Sequence, residues 1–447
     1  MVEAAALPDA MHFTSIALDD VRAFAGRQVL DLTDDRGNPS RWCLILGENG
    51  LGKTTILQAL ALMKPVPVGS ARRSQKAAPN MAQAELSARE NIELERLVRK
   101  GAVRTALEAE LVDEAGQKCT ITAEIKLVDG DIKDVKFRRA RYKLNSSGPL
   151  VIGYGAARHV GHGNKTDVAD RDSTSSLFSD SIDLYDAEEL LEELDHAAHS
   201  GPDKLKARDR ARLTTIYAAV ASLLDGIQPE DITFRGPKVS GRSPDQCGVH
   251  VKTPSGTVPL GELSLGYQSM FAWTVDLAFR LLEAYPESKK PMQESAVVLI
   301  DEIDLHLHPR WQRTIRSHLL RHFPKVQFIA TTHSPVTAQE TLSEGGRVAV
   351  VQWEGSGASI DSDPLPGREW RIDQLMTSAL FRFGMPRSLS AEERMKRRAE
   401  LSQIKRPSAA DKRELAELDA FAASLPFSDP EIGDIFAEYR KLRGVAE

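Results

Sequence analysis

Hydrophobic and polar positions along this chain change period several times, and the changes predict an α/β fold. Five short, almost wholly apolar runs are typical of strands that are buried on both faces, as in a parallel sheet. A helical period at 309–323 separates two of them, as a crossover helix would. The five apolar runs are 42–46, 149–155, 296–301, 326–331 and 347–352.

Other segments alternate between apolar and polar residues, which indicates strands with one covered face. The alternation at 12–33 is typical of edge strands. Residues 103–143 predict three antiparallel strands, with hairpin signals at 115–117 and 129–131 between them. The complete sheet is therefore expected to be mixed.

Helical patterns predict a lobe inserted into this core. The charged, Ala-rich stretch 72–100 reads as a helix, and 183–198 and 204–225 read as two more. The segment 160–176 is rich in Gly, Ser and Asp and predicts a loop, whereas 248–260 predicts a short hairpin.

These boundaries divide the chain into four expected regions. The first is a nucleotide-binding lobe, the second a mainly helical insert, the third a second ATPase lobe, and the last a helical C-terminal region suited to partner docking. Their limits are 1–158, 159–257, 258–365 and 366–447.

Composition narrows the class of protein. The chain has 447 residues, 41% of them hydrophobic, and a net charge of −6, so nucleic-acid contact would need a local basic patch. Cys43, Cys119 and Cys247 lie far apart, which argues against a zinc site and suits a reduced compartment. No apolar run approaches the roughly 20 residues of a membrane span. The N-terminus has no basic signal region. A cytoplasmic protein without membrane contact is expected.

The strongest motif is GENGLGKT, residues 47–54, which matches G-x-x-x-x-G-K-[ST] between a predicted strand and a predicted helix. Backbone N–H groups of such a loop surround phosphate oxygens, Lys53 reaches the β- and γ-phosphates, and Thr54 places its hydroxyl on Mg²⁺. The motif predicts ATP and Mg²⁺ as ligands. Its candidate residues are Gly47, Glu48, Asn49, Gly50, Gly52, Lys53, Thr54 and Thr55.

Acidic residues follow the apolar run 296–301 at the place where catalysis needs them. Asp301 would hold Mg²⁺ through water, opposite Thr54, and Glu302 would orient or deprotonate the attacking water. In the alternative interpretation, Glu302 only caps the following turn. His333 ends the next predicted strand and could hydrogen-bond the γ-phosphate, or be an ordinary polar residue at a strand end.

The segment between these acids and the next helix carries three more polar candidates. Asp304 is a candidate nucleotide-binding residue, and it reads as a hinge acid or as the N-cap of the helix at Pro309. His306 and His308 form an H-x-H pair, but no third ligand is signalled, which favours solvent-facing or interface histidines over a metal site.

A second Ser/Gly-rich loop, LSLGYQ at 263–268, precedes an apolar helix, and a helix N-terminus with free N–H groups attracts anions. Here the sequence resembles the ABC-type ATPases, whose signature is L-S-x-G-x-Q. In that family the signature of one protomer closes over the ATP held by another. The resemblance implies a homodimer or higher oligomer in which Ser264, Gly266 and Gln268 contact nucleotide on a second chain.

Within that superfamily the chain is similar to the RecF/SMC-like branch, with the resemblance covering 12–64 and 258–352. The implied fold is an ABC/SMC-type ATPase head with a mixed sheet, an inserted helical lobe and a helical tail. Slow ATP hydrolysis is expected. The insert is too short for SMC arms, and YGAAR at 154–158 stands where the family has its Gln-loop glutamine. The acids in 350–363 lie too close together for a Toprim nuclease, so no built-in nuclease is expected.

The tail resembles ATPase subunits of defence systems such as Septu and retron-associated relatives, which pair an ATPase with a separately encoded nuclease. REWRIDQLMTSALFRFGMPRS carries this likeness, and the helices expected at 391–425, broken near Pro407, and 431–442 follow it. An effector nuclease is therefore an expected partner. The alternative is a lid packed on the protein's own core. The apolar residues of the tail are Trp370, Leu375, Leu380, Phe381 and Phe383.

Three functions compete. The leading hypothesis is a dimeric ATPase that senses or regulates in an anti-phage defence complex. A RecF-like clamp that grips duplex DNA is the second, with a solvated strand face as the alternative use of its basic run. A transporter motor is third, without an identifiable membrane-docking surface. The basic run comprises Lys136, Arg138, Arg139, Arg141 and Lys143.

Overall fold

The computed structural model describes most of the chain in two compact units. The units are residues Met1–Glu369 and Trp370–Glu447, and each is treated by itself below. The described residues are 7–65, 93–128, 131–139, 148–158, 172–180, 182, 184–199, 202–223, 226–235, 248–253, 256–364, 370–378, 380–381, 388–404 and 407–425. The predicted helix at 72–100 and loop at 160–176 fall mostly outside them.

The described strands number fourteen. They are β1 (Met11–Val21), β2 (Phe24–Asp31), β3 (Trp42–Gly47), β4 (Arg104–Asp113), β5 (Lys118–Val128), β6 (Asp131–Arg139), β7 (Val151–Tyr154), β8 (Ile232–Arg235), β9 (Gly248–Thr253), β10 (Gly256–Pro259), β11 (Ala296–Ile300), β12 (Val326–Thr332), β13 (Arg347–Glu354) and β14 (Gly357–Asp361).

Nine α-helices fall in the described part of the chain. They are α1 (Lys53–Leu62), α2 (Ala187–His199), α3 (Asp203–Leu223), α4 (Leu265–Ala284), α5 (Pro309–His322), α6 (Pro335–Ser343), α7 (Ile372–Thr377), α8 (Leu389–Ser402) and α9 (Ala409–Ser424).

The core is one mixed sheet of eleven strands in the order β6-β5-β4-β1-β2-β14-β13-β3-β12-β11-β7. The mixed α/β fold predicted from the sequence is confirmed. The assignment of 12–33 to the sheet edge is wrong, because β1 pairs with β2 and β4, and β2 also pairs with β14. The alternation of apolar and polar residues indicates whether one face of a strand is covered. It does not indicate how many strands pair with that strand in the plane of the sheet.

The parallel half of the sheet brings four strand ends together. β12 lies between β3 and β11, and β7 pairs with the far side of β11, all in parallel. β3, β11 and β12 are buried almost throughout, which explains their unbroken apolar sequence. Because parallel strands point the same way, residues that follow β3, β7, β11 and β12 meet at the carboxyl ends of these strands. This is the carboxyl edge of the sheet, as distinct from an outermost strand.

Helix α1 begins at this edge, directly after the glycine-rich turn. Its N-cap Gly52 has φ +98°, and a Cβ there would lie 2.9 Å from the Phe24 ring. A larger residue would therefore meet both backbone strain and a clash. Nine of the ten residues of α1 are buried, so the helix is apolar around most of its circumference and is enclosed by the core.

The insert contains the two predicted helices, α2 and α3, and a three-stranded sheet ordered β10-β9-β8. The β9–β10 hairpin was predicted, and β8 was missed because four residues carry too little periodic signal. This region belongs to the same compact unit as the sheet. The finer division into lobes stays a prediction.

Helix α4 starts earlier than expected. Ser264 is its N-cap and Leu265 its first residue, so Gly266 and Gln268 lie in the first helical turn and not in a loop. Farther along, the buried carboxylate of Asp276 accepts hydrogen bonds from Tyr154 Oη at 2.7 Å and from Arg280 Nε at 2.7 Å. This cluster joins α4 to the end of β7.

The second unit contains α7 and the helical hairpin of α8 and α9. Arg397 Nε lies 2.8 Å from Glu414, and Arg398 Nε lies 2.6 Å from Asp419. Leu375 and Leu380 are buried, and docking of a partner by the tail stays a prediction. Phe383 and the helix predicted at 431–442 lie outside the described residues.

We predict that Asp276→Asn lowers the free energy of unfolding by about 3–5 kcal/mol, because it leaves the Arg280 guanidinium without its buried counter-charge. Urea unfolding measures this loss. Glu108→Gln is the control, since the Arg27–Glu108 pair spans 2.8 Å but is solvent-exposed, and its loss should cost less than about 1 kcal/mol. Equal losses in the two variants would contradict this account of the cluster.

Candidate functional site

Lys53 is buried at the centre of the site. Its Nζ donates to the carbonyl oxygens of Gly47 at 2.8 Å and Glu48 at 2.9 Å, and lies 2.9 Å from His333 Nε2. Burial lowers the pKa of Lys53, while the nearby carboxylates, first of all that of Asp301, oppose the shift. The phosphate loop and the end of β12 therefore converge on one ammonium group.

Thr54 and Asp301 lie together as the sequence predicts. Thr54 Oγ1 donates to Asp301 Oδ2 at 2.7 Å, and Thr331 Oγ1 donates to Asp301 Oδ1 at 2.5 Å. One hydroxyl and one carboxylate, both oxygen donors, suit Mg²⁺, which takes its other positions from phosphates and water. Among the described residues no group of three or more His, Cys, Asp or Glu side chains could hold a metal ion.

Glu302 follows Asp301 in an unusual backbone conformation. Its φ is +48°, in the left-handed region that residues with a Cβ rarely occupy. Its N–H donates to Thr331 Oγ1 at 2.8 Å, and its carbonyl oxygen accepts from Arg158 Nη2. The backbone of Glu302 is therefore held from both sides, and its side chain lines the pocket described next.

A pocket of about 340 Å³ lies over the phosphate loop. Its lining combines loop residues with the two acids after β11 and with a turn that the sequence reading missed. The lining residues are Arg22, Ala23, Asn49, Gly50, Gly52, Lys53, Thr54, Thr55, Asp301 and Glu302. Arg22 has φ +41° and donates from Nη1 to Gln58 Oε1 at 3.0 Å. The tight turn between β1 and β2 is the sequence feature that could have indicated Arg22 as a pocket residue.

Asp304 lies one turn beyond these acids and accepts a hydrogen bond from Thr332 Oγ1. It is not the N-cap of α5. His308 has that role, and its side chain accepts from the N–H of Arg310. The prediction of Asp304 as an N-cap is wrong because Asp304 lies too far before Pro309 to reach the first helical N–H groups.

The signature residues make contacts of their own and do not belong to the described lining of the pocket over the phosphate loop. Gly266 lies against the segment after β11, where a Cβ would come within 2.5 Å of the His306 carbonyl oxygen. Gln268 Nε2 donates to the carbonyl oxygens of Gly261 at 2.9 Å and Leu263 at 2.7 Å. Leu265 is 71% exposed. In the described part of the chain, none of Ser264, Gly266 and Gln268 lines the pocket over the phosphate loop.

Arg158 is a site residue that the sequence reading missed. It follows β7 and is 8% exposed. Burial lowers the pKa of Arg158 to about 10, although the negative charges of Asp301, Asp304 and Glu302 raise it. The signal was present, because an arginine closes the YGAAR segment where the family resemblance calls for a glutamine.

A family model and several curated proteins match parts of this chain. The family model described as "AAA domain, putative AbiEii toxin, Type IV TA system" matches residues 156–338, from just before Arg158 to just after His333. The chain is 26% identical over 358 residues, or 79% of its length, to Septu protein PtuA of Bacillus mycoides. It is 44% identical over 87 residues, or 20% of its length, to the Retron Vc95 probable ATPase of Vibrio cholerae.

The chain is similar to Septu protein PtuA and to the retron probable ATPases. The resemblance drawn from the sequence is confirmed. The aligned part makes up 42% of the PtuA protein and 17% of the retron protein, so the chain spans less than half the length of these curated relatives.

Solved structures match more loosely. The SMC head domain from Thermotoga maritima has a TM-score of 0.42 and 13% identity, covering 78% of this chain and 98% of that chain. The recombination mediator protein RecF has a TM-score of 0.40 and 14% identity, covering 79% of this chain and 99% of that chain. The fold is therefore assigned from the strand order of this chain and not from these solved structures.

The proposed DNA surface is only partly described. β6 is an edge strand, and its register pairs Lys136 with Glu124 and Arg138 with Thr122. Arg141 and Lys143 lie outside the described residues, so contact with duplex DNA stays a prediction. No helix in the described part of the chain is long and apolar enough to span a membrane.

We predict that Lys53→Met raises the pKa of His333. Burial is the first cause that lowers this pKa and Lys53 the second, so removing the ammonium charge should move the pKa up. Proton–carbon NMR titration measures the shift, with His333→Gln to assign the signal. Lys118→Met, at an exposed ion pair, should leave His333 unchanged. An unchanged or lower pKa in Lys53→Met would contradict the contact.

Proposed function

We propose that this chain binds ATP with Mg²⁺, hydrolyses it in a two-fold dimer, and serves as the ATPase subunit of an anti-phage defence complex whose effector nuclease is a separate chain. The convergence of Lys53, Thr54, Asp301, Glu302 and His333 at one sheet edge carries the proposal. The relatives are Septu and retron proteins, two of them named as probable ATPases.

The residues divide the work of hydrolysis. Backbone N–H groups of the phosphate loop and Lys53 bind the β- and γ-phosphates. Thr54 and Asp301 would hold Mg²⁺, which offsets phosphate charge when it is bound. Glu302 accepts a proton from water as the water oxygen attacks the γ-phosphorus, and the bond to the ADP oxygen breaks to give ADP and phosphate. His333, whose pKa is lowered by burial and by Lys53, hydrogen-bonds the γ-phosphate.

The proposed dimer would complete each nucleotide site with the signature residues of the partner chain. Ser264 has no side-chain capping bond at the start of α4, and the neighbouring Leu265 is exposed. A helix N-terminus with an available serine hydroxyl is an anion-binding group. Since the signature does not line the pocket of its own chain, a two-fold partner would place it over the γ-phosphate.

A clamp on duplex DNA is the alternative function. The basic positions of β6 lie on an outermost strand of the sheet, where duplex DNA could approach along the free side of the strand. The chain is acidic, with a net charge of −6, so such binding would depend on this local charge. Salt-dependent binding of duplex DNA by the isolated protein would favour the clamp, whereas an adjacent nuclease gene would favour the defence complex.

We predict that Glu302→Gln binds ATP but hydrolyses it about 100-fold or more slowly, because the residue that accepts the water proton is gone. The ATP-bound dimer should then accumulate, as seen by sedimentation. Lys53→Ala should lose the nucleotide, and Ser264→Arg should bind the nucleotide without pairing. Glu302→Gln protein that associates no more with ATP than without it would rule out the two-fold site.

We further predict that removal of residues 387–447 leaves ATP binding intact. The cut falls inside the second compact unit and keeps the buried Leu375 and Leu380. Co-purification with the effector nuclease and protection of cells should both be lost. Calorimetry with ATP and pull-down assays measure the two effects. A truncated protein that is insoluble or free of nucleotide would show that the tail belongs to the core.

A further inference from the structure

Arg158 is a buried cation that contacts the backbone of Glu302, the proposed catalytic base. Its Nη2 donates to the carbonyl oxygen of Glu302. We propose that Arg158 is a positioning residue for ATP hydrolysis, which fixes the main chain of Glu302 so that the carboxylate stays directed at the attacking water. This inference rests on the proposed function.

The conformation of Glu302 explains why such a contact is needed. A φ of +48° is unfavourable for a residue with a Cβ and persists only when the surroundings impose it. Among the described residues the Glu302 carboxylate has no hydrogen-bonded or ion-paired partner. Its direction therefore depends on the backbone to which it is attached.

Two independent contacts fix that backbone. Thr331 Oγ1 accepts from the Glu302 N–H at 2.8 Å, and Thr331 is itself fixed by its bond to Asp301. Arg158 holds the carbonyl side. The first contact ties Glu302 to the proposed metal ligands, and the second ties it to the end of β7. Loss of the Arg158 contact would leave the peptide free to rotate on one side.

The chemistry of the side chain favours arginine over other donors at this place. A guanidinium is planar and has several N–H groups in fixed directions, so it can hold a carbonyl oxygen at a defined angle. Its charge also compensates the three carboxylates of Asp301, Glu302 and Asp304, which offset the cost of burying it. A lysine would keep the charge and lose the fixed direction.

Direct binding of phosphate by Arg158 is the competing role, and the pocket argues against it. In the described part of the chain, Arg158 is not among the residues that line the space over the phosphate loop, whereas Glu302 is. Arg158 lies behind Glu302, at the backbone side. An effect on catalysis would therefore pass through Glu302.

The test is a double-mutant cycle. Arg158→Lys and Arg158→Met are each made in the wild-type chain and in the Glu302→Gln chain, and single-turnover ATP hydrolysis and ATP affinity are measured for all of them. In the wild-type background we expect hydrolysis to slow about 10- to 100-fold, with the Kd for ATP changed less than about threefold. In the Glu302→Gln background we expect no further slowing, because the carboxylate that Arg158 positions is absent.

A second readout separates positioning from stability. Slow hydrolysis with intact binding should let the ATP-bound dimer of Arg158→Lys accumulate, as in Glu302→Gln. Arg316→Lys is the matched control, because Arg316 Nη2 also donates to a main-chain carbonyl, that of Glu344, at 3.0 Å but lies outside the site. It should hydrolyse ATP at the wild-type rate.

Each contrary result has a distinct meaning. Equal slowing in both backgrounds would overturn the positioning role in favour of direct action on phosphate. Parallel losses of ATP affinity and thermal stability in both Arg158 variants would overturn it in favour of a structural role. Wild-type protein that binds ATP without hydrolysing it would overturn the proposed function itself, and the assignment of Arg158 with it.

Discussion

The hydrogen bond between Thr54 and Asp301 is the contact on which the site depends. It spans 2.7 Å and joins residues 247 positions apart in the sequence. Only the sheet makes this possible, since β3 and β11 run parallel on either side of β12 and end at the same edge. The apolar strands therefore place the Thr54 hydroxyl and the Asp301 carboxylate within hydrogen-bonding distance of each other, and bring the Lys53 ammonium group to the same set of strand ends.

Much of this could be predicted from the sequence, because buried parallel strands and phosphate loops leave strong local patterns. The run 296–301 shows both its burial and its terminal acid, and GENGLGKT fixes Lys53 and Thr54. Neighbours within the sheet could not be predicted, since β1 alternates in the same way whether or not β4 pairs with it. The YGAAR segment marks Arg158 as a departure from the family pattern, but its contact with Glu302 could not be predicted, because that contact depends on how β7 lies beside β11.

The separation of the signature from the pocket is the physical basis of the proposed dimer. Gly266 packs against the His306 carbonyl and Gln268 braces the turn before α4, so the signature is built rigidly into its own chain. A rigid helix end with an available serine can complete a second chain's site without rearranging. In this account, ATP acts as the contact between two chains, and hydrolysis releases that contact. Such a cycle suits a sensor that must assemble and disassemble an effector complex.

Mixing two inactive variants tests the shared site most directly. In a heterodimer of Lys53→Ala and Ser264→Arg chains, one site carries both changes and the other carries neither. The account predicts that ATP hydrolysis, nearly absent in each variant alone, recovers on mixing in proportion to the heterodimer, up to about half of the wild-type rate per dimer when one of two sites is intact. No recovery in samples shown to contain heterodimers would contradict the claim that one chain closes the site of another.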